Sequence, residues 1–198
     1  MENRKTDMKI VHVSLDLFAR KGYTESSVRE IADAVGIKEP SIYNHFKSKA
    51  AILEHILDKF ATAMIQTVPD EKLNNLTKNA GVDDVIDCFD LSFPKDEERY
   101  YLQTLQVLFQ EQCRNEDIRR YMADNKFDGI ESCAAAVLGR LVEVGALGQS
   151  LDIGFWSRAH ANISYMVSGG LALGQAYDQE QMLRLMYDKI FMLYGDKS

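Results

Sequence analysis

Lys38, Glu39, Ser41, Asn44 and His45 crowd one short stretch of the chain and supply an ammonium, a carboxylate, a hydroxyl, an amide and an imidazole. Ile42 and Phe46 lie four apart, so on a helix they turn inward together and leave Lys38, Ser41, Asn44 and His45 on the outward side. A short exposed helix of hydrogen-bonding groups fits the major groove of duplex DNA. There amides and ammonium groups pair with base edges, and hydroxyls with bases or phosphates. Glu39 is suited to accept from a cytosine amino group. The residue patterns of catalysis do not occur: there is no His-Glu-x-x-His, no Gly-x-Ser-x-Gly elbow, no phosphate loop and no pair of carboxylates in a Gly-rich setting. An enzyme is therefore not expected. Cys88, Cys113 and Cys133 are odd in number and widely spaced, which suggests neither a disulfide framework nor a zinc site. Three buried, reduced thiols are expected, with no cofactor and no metal.

The elements that would hold this surface are legible just upstream. Ile10, Val13, Leu17 and Phe18 recur at helical spacing up to Lys21-Gly22, a basic residue and a glycine at the place of a helix end. Ser27-Val28-Arg29-Glu30 reads as a capping box that opens a second helix. That helix carries Val28, Ile31, Ala32 and Val35 on one face and stops at Gly36, and Pro40 fits only the first turn of a third. Small Ala32 and Gly36 among apolar Ile31, Val35, Ile37 and Ile42 form the core of a helix-turn-helix.

The remaining sequence is helical in character as well. Prolines stand only at 40, 69 and 94, and alternating β-branched runs are missing, so the fold class expected is all-α. A fourth helix is predicted from Ser48 through Gln66, ended by Val68-Pro69. Others follow near 81–91, 97–113, 116–122, 123–147, 152–176 and 179–194. Apolar residues are 46% and charged residues 27% of the 198, the balance of a globular protein. No run reaches the length of a membrane span, and the charged start lacks the apolar core of a secretion signal, which predicts a cytoplasmic protein without a membrane partner. Of the net charge of −7, residues 1–50 contribute +2 and residues 51–198 contribute −9. Polyanion binding is thereby confined to the first segment. The domains expected are a DNA-binding head at 1–50 and a helical body at 51–198.

The head resembles the TetR family of transcriptional regulators. The matching residues are Phe18, Gly22, Tyr23, Thr24, Ile31, Ala32, Val35, Gly36, Ile42, Tyr43, His45, Phe46, Ser48 and Lys49. The run Ile42-Tyr43-Asn44-His45-Phe46-Lys47-Ser48-Lys49 carries the likeness most specifically. The resemblance implies that Thr24, Ser26 and Ser27 offer hydroxyls and amides to one phosphate. It further implies that Tyr43 and His45 hold the backbone at the groove's edge and that Lys49 holds a further phosphate. Lys38, Glu39, Pro40, Ser41 and Asn44 are left to read bases. The sequence departs from the family where Lys38 and Pro40 replace a Ser or Thr cap and a small residue. It departs again at Ser48-Lys49-Ala50-Ala51, which lacks the glutamate that completes a capping box.

For the body the same resemblance implies an effector cavity that takes a small organic molecule. The candidates are the bulky and polar residues of the middle helices: Phe60, Met64, Phe89, Phe93, Tyr101, Leu105, Phe109, Cys113, Phe127, Trp156, His160 and Met166. Asn162 is a further polar candidate. On the last helix Met182, Leu185, Met186, Ile190 and Leu193 form one apolar stripe and Leu183, Tyr187, Phe191 and Tyr194 another. One stripe serves the chain's own core and the other would be left to water, so a second copy is expected to cover it. Ile163, Gly170 and Gly174 on the preceding helix join this dimer face, the glycines allowing close approach. The function expected is that of a repressor: a homodimer on a palindromic double-stranded DNA operator, released by a small organic effector.

Overall fold

The computed structural model describes residues 2–64, 67–89, 97–124, 128–175 and 177–195. Among the described residues there are eleven helices and no strand: α1 (Glu2–Lys21), α2 (Val28–Val35), α3 (Glu39–Ile42), α4 (Lys49–Met64), α5 (Asp70–Asn75), α6 (Val82–Ile86), α7 (Glu98–Glu111), α8 (Glu116–Asp124), α9 (Asp128–Glu143), α10 (Ile153–Ala172) and α11 (Gln179–Tyr194). The all-α expectation holds. The chain forms two compact units. One comprises Met1–Ala63, Phe93–Lys126 and Leu171–Gln175; the other comprises Met64–Ser92, Phe127–Gly170 and Ala176–Ser198. The first unit thus extends past residue 50 to take in α4, α7 and α8.

In the first unit α1 packs against both α2 and α7. Two neighbours demand a wide buried arc, and Ile10, Val11, Ser14, Leu15, Phe18 and Ala19 supply it. Val13 and Leu17, expected inward, are only half-buried. Polar contacts fix the α1 and α7 pairing: Arg99 and the Gln103 amide each donate to Asp16 Oδ1 at 3.1 Å, and Gln106 donates to the Ala19 carbonyl at 3.0 Å.

The start of α2 is the capping box read from the sequence. The Glu30 amide donates to Ser27 Oγ at 3.2 Å, and Glu30 Oε2 accepts from the Ser27 amide at 2.9 Å. Lys21 pairs with the same carboxylate, and together with Ser27 it holds the Glu30 carboxyl down at about 2. Replacing Ser27 by alanine is expected to destabilise the first unit by about 0.5–2 kcal/mol, read as a lower midpoint in urea with unchanged slope. At the other end Gly36 takes φ of 82°, and its amide and that of Ile37 donate to the Ala32 carbonyl at 2.9 and 3.0 Å. This left-handed cap costs a side chain dearly and glycine nothing. Lys9 of α1 donates to the Val35 carbonyl at 2.7 Å, a cation on a helix C-terminus that ties the two helices.

In the second unit the core gathers Leu76, Val85, Ile86 and Phe89 with Val137, Leu138 and Leu141 of α9 and Leu183, Met186, Tyr187 and Ile190 of α11. Positions 183, 186, 187 and 190 are one helical face, and α6 packs on it. Arg184 beside that face reaches Asp83 of α6 and Glu180. Cys88 and Cys133 are buried as expected, and burial pushes both thiols up. Cys113 is exposed, contrary to expectation, because it stands just past the C-terminus of α7.

Candidate nucleic-acid interface

The surface suggested by Lys38 to Asn44 is built from α3 and the turn that follows it. Lys38 opens the helix in an extended conformation without a side-chain cap, and Pro40 occupies its first turn, where no amide is needed. Ile42 is fully buried. The amides of His45 and Phe46 both donate to its carbonyl at 2.9 Å, which carries helical turn geometry beyond the four residues of α3. Phe46 is half-buried, its ring edge-on to His55 at 5.8 Å. With Ile42 anchored, Lys38, Glu39, Pro40, Tyr43 and Asn44 face solvent and Ser41 is half-exposed; Tyr43 is 51% exposed. The residues expected to read bases thus stand on one solvent-facing element.

The residues assigned to phosphates divide. Thr24 and Ser27 are exposed. Ser26 is buried and its hydroxyl donates to the Gly22 carbonyl at 2.7 Å, so it offers no hydroxyl outward. His45 lies at 2.6 Å, Nδ1 to Asp7 Oδ1, with its ring packed inward against α1. Lys49 donates to the carbonyls of Tyr23 and Ser26, both at 2.7 Å, and its ammonium sits 4.3 Å from the Tyr23 ring centroid. Burial lowers the Lys49 pKa, against the opposing charge of Glu111. The lysine closes the α1 to α2 turn instead of projecting from it. The cap at α4 nonetheless forms: Ser48 Oγ accepts from the Ala51 amide at 3.1 Å without help from a glutamate.

Two features escaped the sequence reading. Arg29, in the first turn of α2, and Lys47, in the turn after α3, are exposed cations that the candidate set did not include. Glu111, at the end of α7, is buried against the α1 to α2 turn. Its Oε1 accepts from the Tyr23 amide at 3.0 Å and its Oε2 from the Thr24 hydroxyl at 3.4 Å. A contact across 87 residues leaves no local trace.

The proposed effector residues fall in separate places. In the first unit Phe60 and Tyr101 are buried with ring centroids 6.1 Å apart, Leu105 is buried, Phe109 is half-buried and Cys113 is exposed. In the second unit Phe89 lies 4.5 Å from His160, whose Nδ1 is 2.9 Å from the Tyr187 hydroxyl. Trp156 is half-buried, edge-on to Phe155, while Met166 and Asn162 are exposed. The Met64 side chain, Phe93 and Phe127 lie outside the described residues. A groove of about 800 Å³ in the first unit is lined by Glu98, Arg99, Leu102, Gln103, Gln106, Gln110 and 171–174, and by none of these candidates.

The dimer set also divides. Met186 and Ile190 belong to the chain's own core, whereas Leu185 and Leu193 are exposed and Met182 and Ile163 half-buried. Gly170 is buried with the Tyr177 ring in the place a Cβ would take, while Gly174 is exposed. The unburied apolar line of α11 is Leu185, Met192 and Leu193, seven and eight apart on one face, accompanied by exposed Phe155 and Met166 of α10.

Residues 10–56 match the family model for bacterial regulatory proteins of the tetR family. The HTH-type transcriptional repressor KstR2 of Rhodococcus jostii is 40% identical over 57 residues, 29% of this chain and 27% of that protein. The matched stretch is thus about a quarter of that relative's length. Over nearly the whole chain the fold is that of a TetR-family transcriptional regulator from Mesorhizobium loti, with a TM-score of 0.66 at 15% identity over 99% of this chain and all of the other. The sequence match to the tetR family covers residues 10–56, and the likeness over the whole chain is one of fold. A transcriptional regulator from Saccharomonospora viridis, solved in complex with choline, has a TM-score of 0.64 at 16% identity over 98% of this chain and all of the other. The family-model match spans α2, α3 and the turn between them, the elements that carry the exposed polar face. Among the described residues no helix is long and apolar enough to cross a membrane.

Proposed function

We propose that this chain is a transcriptional repressor that binds a palindromic operator as a homodimer and is released by a small organic effector. The observation that carries the reading is α3: Ile42 fully buried on one side, with Lys38, Glu39, Pro40, Tyr43 and Asn44 exposed and Ser41 half-exposed on the other. Residues 1–50 serve as the DNA-binding head of this cytoplasmic regulator, and residues 51–198 as the sensing and dimerising body. Asn44 and Ser41 address base edges, while Tyr43 holds the backbone. The face of α11 bearing Leu185, Met192 and Leu193 covers its counterpart in a second copy, which removes exposed apolar surface from water. Two heads related by a two-fold axis then meet successive major grooves about one turn apart. An effector that prefers the body conformation with wrongly spaced heads lowers DNA affinity by its differential binding.

Selection of duplexes from a random-sequence pool, followed by titration of the recovered sequence at two salt concentrations, tests this. The expected result is a two-fold symmetric site whose affinity falls steeply with salt. A pool that stays random after selection, or affinity insensitive to salt, would count against DNA binding and leave a protein-only interaction module.

A further inference from the structure

Glu111 is the least expected charge in the first unit: a carboxylate 4% exposed, carried by the last residue of α7 and turned onto the loop that precedes α2. It accepts from the Tyr23 amide at 3.0 Å and from the Thr24 hydroxyl at 3.4 Å. Gly22 admits it, since a Cβ there would stand 3.0 Å from Glu111 Oε1, and the glycine also holds φ of 95°. From the opposite side Lys49, the first residue of α4, takes the carbonyls of Tyr23 and Ser26. The loop's donors are thus held by the Glu111 carboxylate on α7 and its acceptors by the Lys49 ammonium on α4, and Glu111 favours the charged form of Lys49 against the burial that lowers it.

We infer that Glu111 is a positioning residue for the DNA-binding head: through the Tyr23 amide and the Thr24 hydroxyl it fixes the start of α2, and with it α3, to the end of α7. The inference rests on the DNA-binding reading above. The loop it grips leads within a few residues to the Ser27 cap, so a displacement of α7 is passed to α2 without an intervening flexible segment. A hydrogen bond to a buried charge is among the stronger polar contacts, and its loss exposes a backbone donor that has no other partner in the loop to turn to. The role is mechanical and requires no contact between Glu111 and DNA.

Glu111→Ala and Glu111→Gln separate this from a purely local packing effect. Glutamine keeps an acceptor for the Tyr23 amide and a group able to pair with the Thr24 hydroxyl. Two readouts are used on the full chain. Amide hydrogen exchange is expected to accelerate about tenfold at Tyr23 in the alanine variant, with the amides of mid α1 and mid α7 unchanged, and to return close to the parent rate in the glutamine variant. On the duplex recovered by selection, the parent is expected to discriminate against sites with one base pair added or removed between half-sites. The alanine variant is expected to lose about tenfold of that discrimination while its affinity for an isolated half-site stays the same. Unchanged exchange at Tyr23, or an unchanged spacing preference in the alanine variant, overturns the inference. A parent chain that selects no duplex refutes the DNA-binding reading and with it this role. If the alanine variant does not fold, glutamine decides: parent-like exchange and spacing preference support the role, and a glutamine variant with exchange at Tyr23 raised about tenfold overturns it.

Discussion

A chain carrying Tyr43→Ala and Asn44→Ala together is expected to bind its selected duplex about a hundredfold more weakly, with its thermal midpoint unmoved. Both side chains are exposed, so neither truncation opens a cavity or strands a buried partner. An amide that reads an adenine edge contributes about 1–3 kcal/mol of discrimination, and a hydroxyl on the sugar-phosphate backbone about 1 kcal/mol. Together they approach about 3 kcal/mol, or two powers of ten. The two halves are separable: Asn44→Ala should flatten the preference at one base position, and Tyr43→Ala should weaken all duplexes alike. The contrasting control is Ile42→Ala. It removes a fully buried anchor and is expected to cost about 2–5 kcal/mol of stability, so DNA binding and cooperative unfolding fail together. Fluorescence anisotropy beside a thermal melt reads both, and full affinity in the double variant would remove α3 from the interface.

The second large effect is on stability against acid. Burial beside Phe89 and Tyr187 lowers His160 from the ordinary 6.5 to about 4. The unfolded chain therefore takes up a proton near pH 6.5 and the folded chain only near pH 4. Between those values the unfolded state holds more protons, so stability is fully present above about 6.5 and is lost as pH falls toward 4. The loss amounts to about 3 kcal/mol for this one group. His12, lowered by burial and by the charge of Lys59, adds in the same direction, so the parent is compared with His160→Leu. Urea titrations at pH 7, 5.5 and 4 should show the parent falling more steeply than the variant. Parallel curves would mean that the imidazole is not held neutral.

Short-range signals gave the head. A serine with a glutamate three residues later, a glycine after the last apolar position and a proline in a first turn each satisfy backbone groups within a few residues, so spacing alone locates α2 and α3. The inward-facing polar groups were hidden from the sequence for a physical reason of the opposite kind. Lys49 faces inward because the carbonyls of Tyr23 and Ser26 converge on one point, and convergence across more than twenty residues is invisible in the sequence. His45 is drawn to Asp7 in the same way. On α11 both apolar stripes have helical period. The phase was decided by α6, which packs on Leu183, Met186, Tyr187 and Ile190 and leaves Leu185 and Leu193 outside. The short α5 was missed because Leu73 is its only sizeable apolar residue and no side chain caps it, so neither periodicity nor a start signal announced it.

The way α3 is held has an evolutionary corollary. A helix of four residues without a side-chain cap has almost no propensity to exist by itself, and its persistence is delegated to one aliphatic anchor, Ile42. Neighbouring positions that point to water contribute little to that persistence. Mutation at Lys38, Glu39, Asn44 or Tyr43 therefore meets no folding penalty to speak of, and a lineage carrying this scaffold is free to retune which DNA it recognises while its thermodynamic footing stays put.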